Sequence, residues 1–196
     1  MKLYSYVLNH DTGFAPNPYW DYCTLACCKP DIRKKTEKGD WIMGTFPKRY
    51  GPRKLSYLMM VDECLPREKY YEDVRFQTKK PTKQAPCGDN IYYKDGIVWK
   101  QHPNAIFHKR KKDIFRDLKV NKVCIGHTFY YFGGSGPELD SRFWCGIKKG
   151  PFHKVIEDEA LIQELVEWVK SQPKGKMRKI GEPRDPLVIG GKKCGC

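Results

Sequence analysis

The chain has 196 residues, with 37 Lys and Arg against 23 Asp and Glu, a net charge of +14. Hydrophobic residues at 40% and aromatics at 13% are too many for a disordered chain. No apolar run approaches the roughly 20 residues of a membrane span, and the opening Met1–His10 lacks a signal-peptide pattern, so a basic cytoplasmic protein without membrane association is expected.

Leu3–Leu8, rich in aromatic and branched side chains, reads as a first strand. Asp11–Pro18 is a loop that Pro16 and Pro18 stiffen around Asn17. Pro30 suits the first turn of a helix over Lys29–Glu37, which Gly39 ends. Asp40–Gly44 predicts a short strand and Leu55–Val61 a longer apolar one, followed by a brief helix from Pro66 to Asp73. Ile91–Tyr93 and Ile97–Trp99 enclose Lys94-Asp95-Gly96 as a hairpin, and Lys122–Phe132 reads as one long strand ended by Gly133-Gly134. Ile156, Ala160, Leu161, Leu165, Trp168 and Val169 recur at helical spacing, with acidic residues first, Lys170 last and Pro173 as the stop. Residues 1–172 thus form one domain, and 173–196 a basic tail rich in Gly, Pro and Lys. The elements predict an α+β fold with a barrel-like or curved mixed sheet, short flanking helices and one longer C-terminal helix.

Three stretches carry a resemblance: Cys23–Arg33, Lys38–Ile42 and Lys54–Leu58, with Gly13–Pro18 before them and His127–Gly133 after. In this order they resemble the nucleotide-modification-associated domain family, type two. A looser likeness, through Ile32–Lys38, the Gly39-Asp40 turn, Trp41–Thr45, Leu55–Glu63 and Tyr71-Glu72-Asp73, is to the PUA-like superfamily with its EVE and ASCH members. The resemblance implies a small β-barrel domain that, in phages and bacteria, accompanies enzymes handling modified DNA bases. It implies a role in DNA modification or phage–host conflict.

Two site chemistries follow from the residues, with binding of a modified base expected first and catalysis as the alternative. A reader of modified bases in nucleic acid or nucleotides needs aromatic walls, an amide edge and cations for phosphate. Phe14, Trp41, Tyr57, Tyr130 and Phe132 offer walls, Asn17 an edge, and Lys29 and Arg33 cations beside Cys27. Lys109, Arg110, Lys111, Lys112, Lys176, Arg178 and Lys179 would hold a nucleic-acid backbone. An enzyme acting on the same ligand needs a nucleophile, a base and an orienting carboxylate. Cys23, Cys27 or Cys28 would be the nucleophile, His10 or His127 the base, and Asp11 or Asp40 the carboxylate, with Cys27, His127, Asp11 and Asp40 the leading set. The nine cysteines read as reduced thiols. One Cys-x3-Cys and a distant Cys-x-Cys match zinc spacing poorly, so neither metal nor cofactor is expected.

Overall fold

The computed structural model describes residues 1–51, 53–173, 177–189 and 192–193. The strands are β1 (Leu3–Val7), β2 (Cys23–Leu25), β3 (Trp41–Thr45), β4 (Leu55–Met60), β5 (Glu63–Leu65), β6 (Tyr92–Asp95), β7 (Val98–Gln101), β8 (Val123–Gly126), β9 (Phe129–Tyr131), β10 (His153–Ile156), β11 (Arg178–Lys179), β12 (Val188–Ile189) and β13 (Lys192–Lys193). The α-helices are α1 (Pro30–Lys35), α2 (Arg67–Glu72), α3 (Lys111–Leu118) and α4 (Glu159–Ser171).

A six-stranded mixed sheet in the order β10-β1-β3-β4-β9-β11 forms the middle layer, with β1 and β3 parallel. A three-stranded sheet, β2-β8-β5, lies on one face of it, and β6-β7 and β12-β13 are separate hairpins. The α+β class holds. The described strands do not close into a barrel, because the six-stranded sheet ends in β10 and β11 without joining them.

Side-chain alternation explains the layers. Along β3, Trp41 and Met43 pack toward α4, whereas Ile42 packs toward the smaller sheet. Along β4, Leu58 takes the first side, and Tyr57 and Met59 the second. Strand residues point alternately to opposite faces, so a sheet covered on both sides reads as a continuous apolar run. Helix α4 buries Ile162, Leu165, Val166 and Val169, and Asp158 caps it by accepting from Leu161 N–H. The buried stripe differs from the expected one: Ile156 belongs to β10, and Ala160 is exposed.

The long strand expected over Lys122–Phe132 is two strands in two sheets. The break falls at His127-Thr128, whose backbone N–H groups both donate to Asp62 Oδ2. The stretch read as a tail also reaches the sheet. β11 pairs with β9, and Asp185 exchanges backbone and side-chain hydrogen bonds with Asp11.

Gly136 sets a close approach that matters for the site. A Cβ there would lie 1.6 Å from Leu55 O, at the start of β4. Beside it, Leu55 N–H donates to Pro137 O and Leu139 N–H to Arg53 O, which fixes Arg53 and Glu138 together. Gly136→Ala forces these backbones apart and destabilises the fold by about 3 kcal/mol, measurable by urea titration.

Candidate active site

Between β2 and α1 the chain turns sharply at Cys28 and Lys29, both left-handed, with φ of 60° and 40°. Non-glycine residues hold that conformation only where their surroundings impose it, at a cost of about 1–3 kcal/mol each. A strand-to-helix elbow of this kind projects a nucleophile outward.

Two buried arginines impose the turn. Arg33, on α1, donates from Nε to Cys28 O at 2.8 Å and from Nη1 to Val120 O and Lys122 O at 2.8 and 2.7 Å. Its Nη2 donates to Asp117 O at 2.8 Å. Arg67 Nη2 donates to Ala26 O and Asp117 O, both at 2.6 Å. The two guanidinium groups clamp the elbow onto the C-terminal end of α3, and so place Cys28 beside Asp117.

There a line of three groups forms. Cys28 N–H donates to Asp117 Oδ1 at 2.8 Å. Asp117 Oδ2 bonds with His108 Nδ1 and accepts from Tyr92 OH at 3.0 Å. On the far side of the imidazole, His108 Nε2 lies 3.6 Å from Cys28 Sγ. Arg116 Nη2 stands 3.8 Å from the same sulfur and 3.4 Å from His108 Nε2. Phe14 meets the imidazole edge-on at 4.9 Å and stacks on Phe107 at 4.3 Å, which fixes the ring plane.

The charges reinforce this order. Burial alone would lower the His108 pKa, but its hydrogen bonds with Asp117 and Cys28 outweigh burial and raise it to about 9. Burial would likewise raise Asp117, yet the His108 hydrogen bond and charge, the Cys28 N–H and Arg116 hold it below the usual carboxylate value. At neutral pH the pair is imidazolium and carboxylate, with Nε2–H directed at sulfur.

Cys28 opens onto a cavity of about 290 Å³, walled by Lys29, Pro30, Asp31, Ile32, Arg116, Phe152 and His153. Lys29 and Phe152 also line a second cavity of about 890 Å³, together with Phe46, Lys48, Arg53, Trp144, Lys148 and Lys149 among others. Of the described non-glycine residues with positive φ, Cys28, Lys29, Arg53, His108 and Phe152 all belong to this region, and only Trp20, Asp21 and Arg178 lie elsewhere. Backbone strain concentrates at sites that use it.

The residues singled out from the sequence fall in several places. Lys29 lines both cavities, its ammonium 4.3 Å from the Tyr6 ring centre. Phe14 is a wall of the imidazole, not of an open pocket. Asn17 is fully buried, donating to Gly13 O and Cys87 O and accepting from Lys79 Nζ at 2.6 Å, so its amide has no edge left for a ligand. Trp41, Tyr57, Tyr130 and Phe132 are core residues of the two-faced sheet. Arg33 spends its guanidinium on backbone carbonyls and offers nothing to a phosphate.

The leading catalytic set does not assemble. Cys27 is fully buried, its thiol pushed well above 9 by desolvation and turned to Asp89 O. Cys23 is fully buried too, and burial likewise raises its thiol. His127 is exposed, paired with Arg178 at 2.7 Å and packed against Tyr22. Asp11 accepts from Tyr131 OH at 2.5 Å and from Ser56, and burial raises its pKa. Asp40 caps a turn, accepting from Lys2 N–H and Glu37 N–H. Of the three thiols considered, Cys28 is the one within hydrogen-bonding distance of an imidazole. His108 stands in the sequence within a run of cations, and its partner Asp117 lies nine positions on, a separation that matches no short motif.

Lys109, Arg110, Lys111 and Lys112 are exposed and lead from His108 into α3, so they flank the site. Arg178 donates to Asp21 O, and Lys179 pairs with Glu182. Lys176 lies outside the described residues. Cys27 Sγ, a His108 nitrogen and an Asp117 oxygen lie within 4.8 Å of one another, the three residues able to hold a metal. Each is already engaged, since His108 and Asp117 bond each other and Cys27 Sγ bonds Asp89 O.

The geometry defines an α+β domain with a thiol–imidazole–carboxylate line beside a basic, aromatic cavity. The chain belongs to the nucleotide modification associated domain 2 family, whose model matches residues 1–189. No curated protein and no solved structure matches it. The match spans the elbow, His108, Asp117 and both cavities, and associates the chain as a whole with nucleotide modification.

Two outcomes follow from the geometry. Arg33→Met leaves several buried carbonyls without donors and costs about 3 kcal/mol or more in urea titration. Arg33→Lys, with three donors on a point charge, recovers only part of that loss. The His108 pKa, 6.5 when unfolded and about 9 when folded, gives stability that is complete below pH 6.5 and lost as pH rises to 9. Measured against His108→Gln, the wild type loses up to about 1.4 kcal/mol per pH unit across that window.

Proposed function

We propose that this domain is a thiol-dependent enzyme acting on a nucleotide, or on a base within nucleic acid, in a DNA-modification setting. The observation that carries the reading is Cys28 Sγ at 3.6 Å from His108 Nε2, with Asp117 behind the imidazole. The carboxylate holds the ring with Nδ1–H toward it, leaving Nε2 to exchange a proton with sulfur.

The chemistry is a two-step group transfer. The Cys28 thiolate forms a C–S bond with an electrophilic carbon of the ligand as the bond to the leaving group breaks. The leaving group departs with a proton from His108. Water then supplies its hydroxyl to the same carbon, the C–S bond breaks, and the water proton returns to the thiol–imidazole pair. Asp117 stays ionised throughout, held by Cys28 N–H and Tyr92 OH. Arg116, half-exposed beside the sulfur, is placed to meet negative charge developing on the ligand.

Within this reading, the exposed cations from Lys109 to Lys112 give the salt-dependent share of nucleic-acid affinity. The PUA-like kinship stays part of it, supported by the order of α1, the Gly39-Asp40 turn, β3 and β4. So does a place in phage–host conflict, which rests only on what the resemblance implies.

Thiol alkylation tests the site without knowledge of the substrate. With limiting iodoacetamide at neutral pH, peptide mapping should find Cys28 modified at least ~10-fold faster than the exposed Cys145, and His108→Gln should remove the advantage. Parity of Cys28 with Cys145 in the wild type would sink the reading.

A further inference from the structure

We propose that the larger cavity binds a single nucleotide unit through its phosphate and delivers it to Cys28, a deepening that rests on the thiol reading for its purpose. Arg53, Lys48, Lys148, Lys149 and Lys29 line the cavity against one carboxylate, Glu138. That excess of positive charge is more than a carboxylate ligand would balance, and matches a phosphate, which carries about −1.5 to −2.

Arg53 is the focal group. Its guanidinium carbon lies 3.3 Å from the centre of the Trp144 ring, so the flat face is covered and the donor edge is left for a ligand. Arg53 Nη1 is buried and has no hydrogen-bond partner among the described residues. A buried donor left unpaired costs about 1–3 kcal/mol, which a fork onto phosphate oxygens recovers. Its backbone is left-handed, with φ of 50°, and is tied to Leu139 N–H, so the side chain is aimed by the fold.

The remaining walls suit a base or sugar. Phe46 is buried in the cavity wall, and Phe152 is 77% exposed at the border with the small cavity, in a strained conformation with φ of 69°. An aromatic ring held out in this way is a stacking surface. A volume of about 890 Å³ accommodates one small ligand and not a duplex. Lys29 and Phe152 belong to both cavities, so a ligand anchored at Arg53 and reaching that border meets the sulfur. The unit has two sources, a free nucleotide or one extruded from a strand.

Isothermal titration of the full chain tests this with the four deoxynucleosides, their 5′-monophosphates, inorganic phosphate and a mixed pentanucleotide. At least one monophosphate should bind ~10-fold or more tightly than its nucleoside. Arg53→Gln should erase that preference, and Lys48→Ala, at the exposed rim, should weaken it a few-fold with an unchanged melting temperature. Tighter binding of the pentanucleotide than of the monophosphates assigns the strand as source, and the reverse assigns the free nucleotide. If no monophosphate outcompetes its nucleoside, or if folded Arg53→Gln and Lys48→Ala both bind like the wild type, the nucleotide site is overturned. Titration reads binding alone, so it stands or falls separately from the alkylation of Cys28.

Discussion

A buried guanidinium with no carboxylate of its own organises this protein. Arg33 is inaccessible to solvent and makes four hydrogen bonds, every one to a backbone carbonyl. Burial lowers its pKa to about 10, so it remains a cation at neutral pH. The carbonyls it meets at Asp117 and Val120 belong to the C-terminal end of α3 and the turn beyond, where unpaired carbonyls gather negative partial charge. Only a fork of fixed donors can satisfy carbonyls from both the elbow and this helix end at once. The fold thereby turns a backbone requirement into a rule about the site, because wherever Arg33 goes, Cys28 and Asp117 are drawn together.

Asp117 is the second organiser. Its side chain is fully buried and accepts from Cys28 N–H, His108 and Tyr92, while its own carbonyl accepts from Arg33 and Arg67. One negative group thus stands amid His108, Arg116 and two clamping arginines. Buried charge is tolerated only when it is paired and hydrogen-bonded, and here the pairing also orients the imidazole. Two donors, His108 Nε2–H and Arg116 Nη2–H, converge on the Cys28 sulfur. The left-handed backbone at Cys28 and Lys29 is the strain that this web of contacts sustains.

The sequence made the framework legible and the site only partly so. Strands β1, β3 and β4 lie within a residue of where composition and periodicity put them, because burial on defined faces leaves a pattern in the chain. Helix α4 starts three residues later than its pattern predicts, because β10 takes Ile156. The resemblance to the family also came from ordered local stretches. The site came from non-local geometry. Cys28 stood among three candidate thiols, and what separates it from Cys27 is one position at a turn, which sends one sulfur into the core and the other toward a cavity. His108 and Asp117 were hidden in a basic run, since neither carries a local signal of the hydrogen bond that joins them. Trp41, Tyr57, Tyr130 and Phe132 drew attention as aromatics, but a sheet covered on both faces needs large side chains on both, so aromatic content there reports packing.

The position of the cavity follows from topology. β1 and β3 run parallel, and their final residues, Val7 and Thr45, pair with each other and both line the larger cavity. Where parallel neighbours end together, the chains leave in different directions and a crevice opens at their carboxyl ends. A register shift between Gly44 and Thr45 opens it further, carrying Phe46 and Pro47 out of the sheet and into the wall. A parallel pair also requires a crossover, and here the crossover from β1 to β3 runs through β2, the elbow and α1. Cys28 and Lys29 are therefore on the segment that must return past the open ends of the strands it connects. The adjacency of thiol and basic cavity is a consequence of that connection, which brings Lys29 of the elbow into the wall of the larger cavity and leaves Cys28 on the smaller one beside it.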